Sequence, residues 1–183
     1  TGRIDKRVTS SIPERAEAEY RRGLALVNQG RVAEGMEGFR LALTTDAAHE
    51  AARQTLVALL MEQRRYDEAF GLMQKGLELN PGNSGFAMLL ARIMVDRKNL
   101  TAALEVLQKY APAAGSNAEY HAFAAALFQR LGRHRDAVEE YQVALRLAPH
   151  AGVWWVGLGI SQEAAERRKE AAGNGRIIPE KRK

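Results

Sequence analysis

The sequence contains no cysteine, and that absence removes three kinds of chemistry at once. No disulfide framework, thiol nucleophile or thiolate metal site can be built. Any redox compartment suits such a chain, and none is identified by it. Long apolar runs are also missing. The longest, such as Ala122–Phe128, falls far short of the roughly 18 residues that a membrane-crossing helix needs. No signal-peptide pattern is visible. The chain starts at Thr1 rather than Met, which reads as a fragment or processed chain with any targeting or membrane segment lying upstream. Proline is scarce at five residues, and each reads as a segment boundary or a helix breaker.

The positive charge is scarce where it would matter. The net charge is +5, yet residues 1–15 hold +2, residues 167–183 hold +5, and 16–166 hold −2. A nucleic-acid surface needs its positive charge on the folded body rather than on two tails, so no nucleic-acid partner is expected. Hydrophobic residues make up 46% and charged residues 27%, a balance that supports a packed core.

What is present is a period. Residues 118–151 read as two amphipathic helices joined by a turn. Ala124, Ala125, Phe128 and Leu131 share one face of the first, Gly132 stops it, and Ala137, Tyr141, Ala144 and Leu145 line the second up to Pro149. Units of 34 residues begin at 16, 50, 84 and 118, and a partial fifth begins at 152. The small position on the first helix reads Gly23, Val57, Ala91, Ala125 and Gly159. Its counterpart on the second reads Gly35, Ala69, Ala103, Ala137 and Ala171, and the large position facing it reads Phe39, Met73, Leu107 and Tyr141. These spacings resemble the tetratricopeptide (TPR) repeat, a helix–turn–helix that must stack on copies of itself to bury its apolar faces. The resemblance implies an all-α, right-handed solenoid with repeats 16–49, 50–83, 84–117 and 118–151 and a partial repeat 152–172. The third repeat is the weakest, because Tyr110 replaces a small residue and Pro112 shortens its second helix. In the fifth, a second helix is expected from about Lys169, broken by Gly173, Gly175 and Pro179. Trp154, Trp155 and Ile160 are then left partly uncovered, a face expected to meet missing sequence, with a partner or self-association as the alternative. Residues 1–15 read as a flexible linker with a helix starting near Ser11 or Pro13, and 173–183 as a disordered basic tail.

No catalytic constellation emerges. His49, His121, His134 and His150 sit at non-equivalent repeat positions, with none of the i, i+4 partners of a helical metal site, and they read as surface histidines. Neither a metal nor a cofactor is expected, and the chain reads as a non-enzyme. The candidate site is the wall made by the first helices, at positions 2, 5, 9, 12 and 13 of each unit. Its central residues are Tyr20, Leu24 and Val27, then Gln54, Ala58 and Met61, then Met88, Arg92 and Val95, and last Gln129 and Arg130. Such a mixed apolar wall suits an amphipathic helix or an extended peptide, and methionine suits adaptable contacts. Clamps of this repeat family for chaperone tails use Lys and Asn there; Tyr20, Leu24 and Ala58 argue against that use.

Four stretches carry a narrower likeness: KRVTSSIPERAEAEYRRGLAL, AARQTLVALLMEQRRYDEA, GFAMLLARIMVDRKNLTAALEVLQ and LFQRLGRHRDAVEEYQVALRLAPHAGVWWVGLGISQEA. Together, over about residues 6–172, they resemble the MshN-like biogenesis proteins of the mannose-sensitive haemagglutinin (MSHA) type IV pilus. That resemblance implies a periplasmic assembly scaffold held to the inner membrane by an upstream span, with pilus or secretion components as partners and no membrane contact by this segment. The same repeat also fits a cytoplasmic adaptor of the co-chaperone type, or an accessory domain of a larger protein.

Overall fold

The computed structural model describes residues 10–174. Among them lie nine α-helices, a single 3-10 turn and no strand. The residues divide into two compact units that meet between Asn80 and Pro81, and each is described by itself.

The first unit holds α1 (Ile12–Asn28), α2 (Val32–Thr45), α3 (Glu50–Glu62) and α4 (Tyr66–Leu79). Its core is a continuous set of fully covered side chains, among them Met36, Phe39, Leu56, Leu60, Met73 and Leu77. The second unit holds α5 (Ser84–Asp96), α6 (Leu100–Lys109), the 3-10 turn Ala111–Ala113, α7 (Ala118–Arg130), α8 (His134–Leu147) and α9 (Gly152–Asn174). Phe86, Ile93, Leu107, Tyr120, Leu127 and Tyr141 fill its interior. The large second-helix positions 39, 73, 107 and 141 are all buried.

One turn geometry recurs four times. Gly30, Arg64, Lys98 and Gly132 take φ of 79°, 58°, 64° and 75°. Around each, the following N–H reaches back to a carbonyl five residues earlier, as from Arg31 to Leu26 (2.9 Å) and from Arg133 to Phe128 (2.8 Å). The residue itself donates to the carbonyl three back, as Gly30 does to Val27 (2.9 Å). This paired 6→1 and 5→2 bonding satisfies the last carbonyls of the first helix and turns the chain into the second. First helices are capped in step: His49 Nδ1, Asn83 Oδ1 and Asn117 Oδ1 accept from the N–H three residues on.

Packing at the crossing of the first repeat leaves no room for a side chain. A Cβ on Gly23 would lie 2.8 Å from Phe39 Cδ1 and 2.9 Å from the Gly35 carbonyl. Where Pro112 interrupts the third repeat, α6 has 10 residues against 14 in α2, α4 and α8.

α1 begins where the sequence places a helix start, at Ile12 with Ser11 as its cap, whose Oγ accepts from Glu14 N–H at 3.3 Å. Ile12–Arg15 of the expected linker therefore belong to its first turn. The C-terminal end differs from expectation. No second helix begins at Lys169, because α9 runs unbroken for 23 residues through Gly173 to Asn174. The turn position that reads Gly, Arg, Lys and Gly in the earlier repeats is Glu166 here, inside a stretch of Ala, Glu, Arg and Lys that favours helix. The leader up to residue 9 and the tail from 175 lie outside the described residues.

Candidate functional site

The expected wall residues divide into packed and open ones. In the first unit Tyr20 is half-buried, with its ring centroid 5.5 Å from Phe39 and 5.0 Å from His49. Its hydroxyl lies 3.2 Å from Thr55 Oγ1, which ties α1 to α3. Val27 packs on α2, since a Cβ on Gly35 would come within 2.5 Å of Val27 Cγ2. Leu24 and Met61 are half-covered, and Gln54 and Ala58 are exposed. In the second unit Met88 and Val95 are half-buried, the Met88 sulfur lying 3.7 Å from Asn117 Nδ2, and Arg92 and Arg130 are exposed. Gln129 is engaged elsewhere. Its amide donates to the Gly157 carbonyl (2.9 Å) and to Ser161 Oγ (2.8 Å), pinning α9. His134 Nδ1 lies 3.3 Å from the same buried Ser161 hydroxyl.

Two histidines depart from their reading as surface residues. His49 and His121 are largely covered, and each meets a carboxylate from another helix: His49 Nε2 with Glu17 at 2.7 Å, and His121 Nδ1 with Glu140 at 2.8 Å. The partners are 32 and 19 residues away, so a search at i, i+4 misses both. With Nδ1 accepting from Ala52 N–H, His49 joins the cap of α3 to α1 through one ring. The His49 bond, and then Arg21, hold the Glu17 carboxyl below its ordinary range. These side chains border a cleft of about 620 Å³ walled by α1, α3 and the α2–α3 turn. No group of three metal-ligating side chains occurs among the described residues.

Arg53 is the one buried charged residue described, at 3% exposure. Its guanidinium donates to the Ala47 carbonyl (2.6 Å) and the Leu72 carbonyl (3.0 Å), bracing the α2–α3 turn against α4. Burial lowers its pKa.

Glycine packing also corrects one sequence inference. Gly157 is a close-approach position, because a Cβ there would lie 2.5 Å from the Tyr141 ring and hydroxyl. Gly159, aligned with the buried Gly23, has nothing within 4 Å. The second helix that would cover it is absent from the fifth repeat.

Residues 60–127 match the tetratricopeptide repeat family. The fold is that of a TPR protein. The MamA protein shares it, with a TM-score of 0.71, 16% identity and 86% of each chain covered. MamA from residue 41 to the end, from Desulfovibrio magneticus RS-1, gives a TM-score of 0.68 at 16% identity, covering 92% of this chain and 99% of that one. YrrB, a TPR protein with an unusual peptide-binding site, gives 0.66 at 15% identity, covering 88% and 87%. None of the curated proteins matches the chain in sequence. At such identities the likeness is one of fold. Among the described residues no TPR helix is long and apolar enough to cross a membrane.

Proposed function

We propose that this chain is a non-enzymatic protein-interaction scaffold that takes peptide or helical segments of other proteins on the wall of its first helices. The observation that carries the reading is the pairing of half-covered apolar side chains with open neighbours in both units. Leu24 and Met61 stand with exposed Gln54 and Ala58, and Met88 and Val95 with exposed Arg92. Apolar surface of this kind gains free energy when covered, and the adjacent polar groups set orientation. The peptide-binding site of YrrB, on a similar fold, supports a peptide as the class of ligand.

The narrower role we propose is assembly of a type IV pilus of the MSHA class, or of a related secretion machine, in the periplasm. It rests on the family resemblance of the four stretches quoted above. The test is capture from a bacterial envelope extract, followed by mass spectrometry. Pilus or secretion components retained by the wild-type chain, and lost when Leu24 and Met61 are both changed to Asp with helicity intact, support both levels. Capture that survives the double change overturns the wall. Recovery of chaperones or cytosolic regulators alone overturns the periplasmic role and favours a cytoplasmic adaptor.

A further inference from the structure

α9 runs on past the position at which each earlier repeat turns back, and its second half lies beside the start of α8. Arg167, Arg168 and Lys169, whose charge the sequence assigns to a tail, are therefore on a folded helix. Between the two helices is a cleft of about 350 Å³, with Arg133, Arg135 and Asp136 on one side and Arg168 and Lys169 on the other. All of these residues belong to the second unit. The side chains lining the cleft carry a net charge of +3, whereas residues 16–166 as a whole carry −2.

Two of the cations are held in place. The Arg133 guanidinium lies 4.7 Å from the Phe128 ring centroid, and its Nε donates to Asp136 at 2.9 Å. Arg168 donates to the Gly132 carbonyl. Each contact uses only part of a fork of five N–H donors. Arg135 and Lys169, both exposed, have no hydrogen-bond or ion-pair partner among the described residues. Like charges gathered in one cleft repel, and an anion between them turns repulsion into attraction. Guanidinium groups already fixed by the protein lose little freedom in binding it. We propose that this cleft binds a compact polyanion of the diphosphate class. A diphosphate carries about three negative charges at neutral pH on oxygens crowded around two centres, which suits both the charge and the size of the cleft. Paired N–H groups of arginine match such oxygens, and the small side chains of Ala165 and Ala172 leave room for them. The chain's own continuation is a poor occupant, because residues 175–183 hold four basic residues and one acidic. None of the cleft residues belongs to the wall proposed above, so either site can fail without the other.

The probe is inorganic pyrophosphate, titrated into the full chain at low ionic strength and followed by calorimetry. Saturable one-to-one binding is expected, with a rise in melting temperature. Arg135→Gln together with Lys169→Gln weakens it at least tenfold, since two charge-assisted contacts are lost. Neither side chain has a partner among the described residues, so this double variant alone melts no lower than the wild type, which separates a lost site from a damaged fold. Arg22→Gln together with Lys98→Gln removes the same charge elsewhere and changes the affinity less than threefold. The proposal is overturned by absence of saturable binding up to millimolar pyrophosphate, or by equal losses in the two double variants. It is equally overturned if a hexaglutamate peptide binds more tightly than pyrophosphate, since an acidic protein segment is then the ligand.

Discussion

The Tyr120 hydroxyl donates to the backbone carbonyl of Leu107 across 2.6 Å, in the buried interior of the second unit. Leu107 lies in the last turn of α6, the helix that ends early at Lys109, where carbonyls lack a helical partner. A side chain from the next repeat therefore supplies the bond that the shortened helix cannot. Burial, with a smaller contribution from the Glu140 charge, pushes the Tyr120 pKa up to about 12.

The sign of the alkaline dependence follows. Unfolded tyrosine releases its proton near 10, whereas folded Tyr120 holds it to about 12, so the contribution to stability is complete below pH 10 and is lost as pH rises through 12. Two units correspond to about 3 kcal/mol. Denaturant midpoints of the wild type and Tyr120→Phe, compared from pH 8 to 12, converge above pH 10. A constant gap across that range contradicts the assignment.

The same repeat position responds oppositely at the two ends of the chain. Gly23→Ala drives a methyl to 2.7 Å from Phe39 Cε1 and 2.9 Å from the Gly35 carbonyl, and destabilises by about 1–3 kcal/mol. Gly159→Ala meets nothing within 4 Å and stabilises by about 0.5–1 kcal/mol, the usual gain of alanine over glycine inside a helix. Chemical denaturation of the two variants checks both signs.

Arg53 offers a test of a buried cation held by carbonyls. Arg53→Ala removes both bonds and leaves a void, costing about 2–4 kcal/mol. Arg53→Met restores most of the stem volume and costs less. If the two variants melt together, packing of the stem contributes little and the hydrogen bonds account for the loss.

The four turns contain two glycines and two side chains held at positive φ. Arg64→Gly and Lys98→Gly relieve backbone strain and raise the melting temperature by a few degrees, a gain on the order of 1 kcal/mol less the glycine entropy cost. Gly132→Ala, at φ 75°, lowers it. Scanning calorimetry of the three variants reads the ordering directly.

The repeat was legible because stacking constrains one small and one large residue per helix, and Phe39, Met73, Leu107 and Tyr141 stand out at that spacing. The shortened α6 was legible for the same reason, through Pro112. Register failed in the fifth repeat, where Ala171 kept the small position but Glu166 removed the turn, so local helix propensity set the outcome. Long-range pairs escaped altogether. His49 with Glu17 and His121 with Glu140 join separate helices, and nothing in the sequence marks Arg53 as buried, because its Leu72 partner lies on α4. Gln129, assigned to the wall, is drawn inward by α9, whose course could not be anticipated without knowing that the turn was lost.

Loss of that turn also sets how the chain comes apart. A helix of 23 residues rises about 34 Å, yet its burial is concentrated between Gly157 and Ser161, with an outer hold where Arg168 bonds the Gly132 carbonyl. Beyond that bond every described residue of the helix is exposed, and a helical segment so short does not persist in water by itself. Its order is borrowed from the anchored half. On warming, ellipticity declines gradually as α9 frays from Asn174 inward, and the resulting slope precedes, and is distinct from, the cooperative melting of the core.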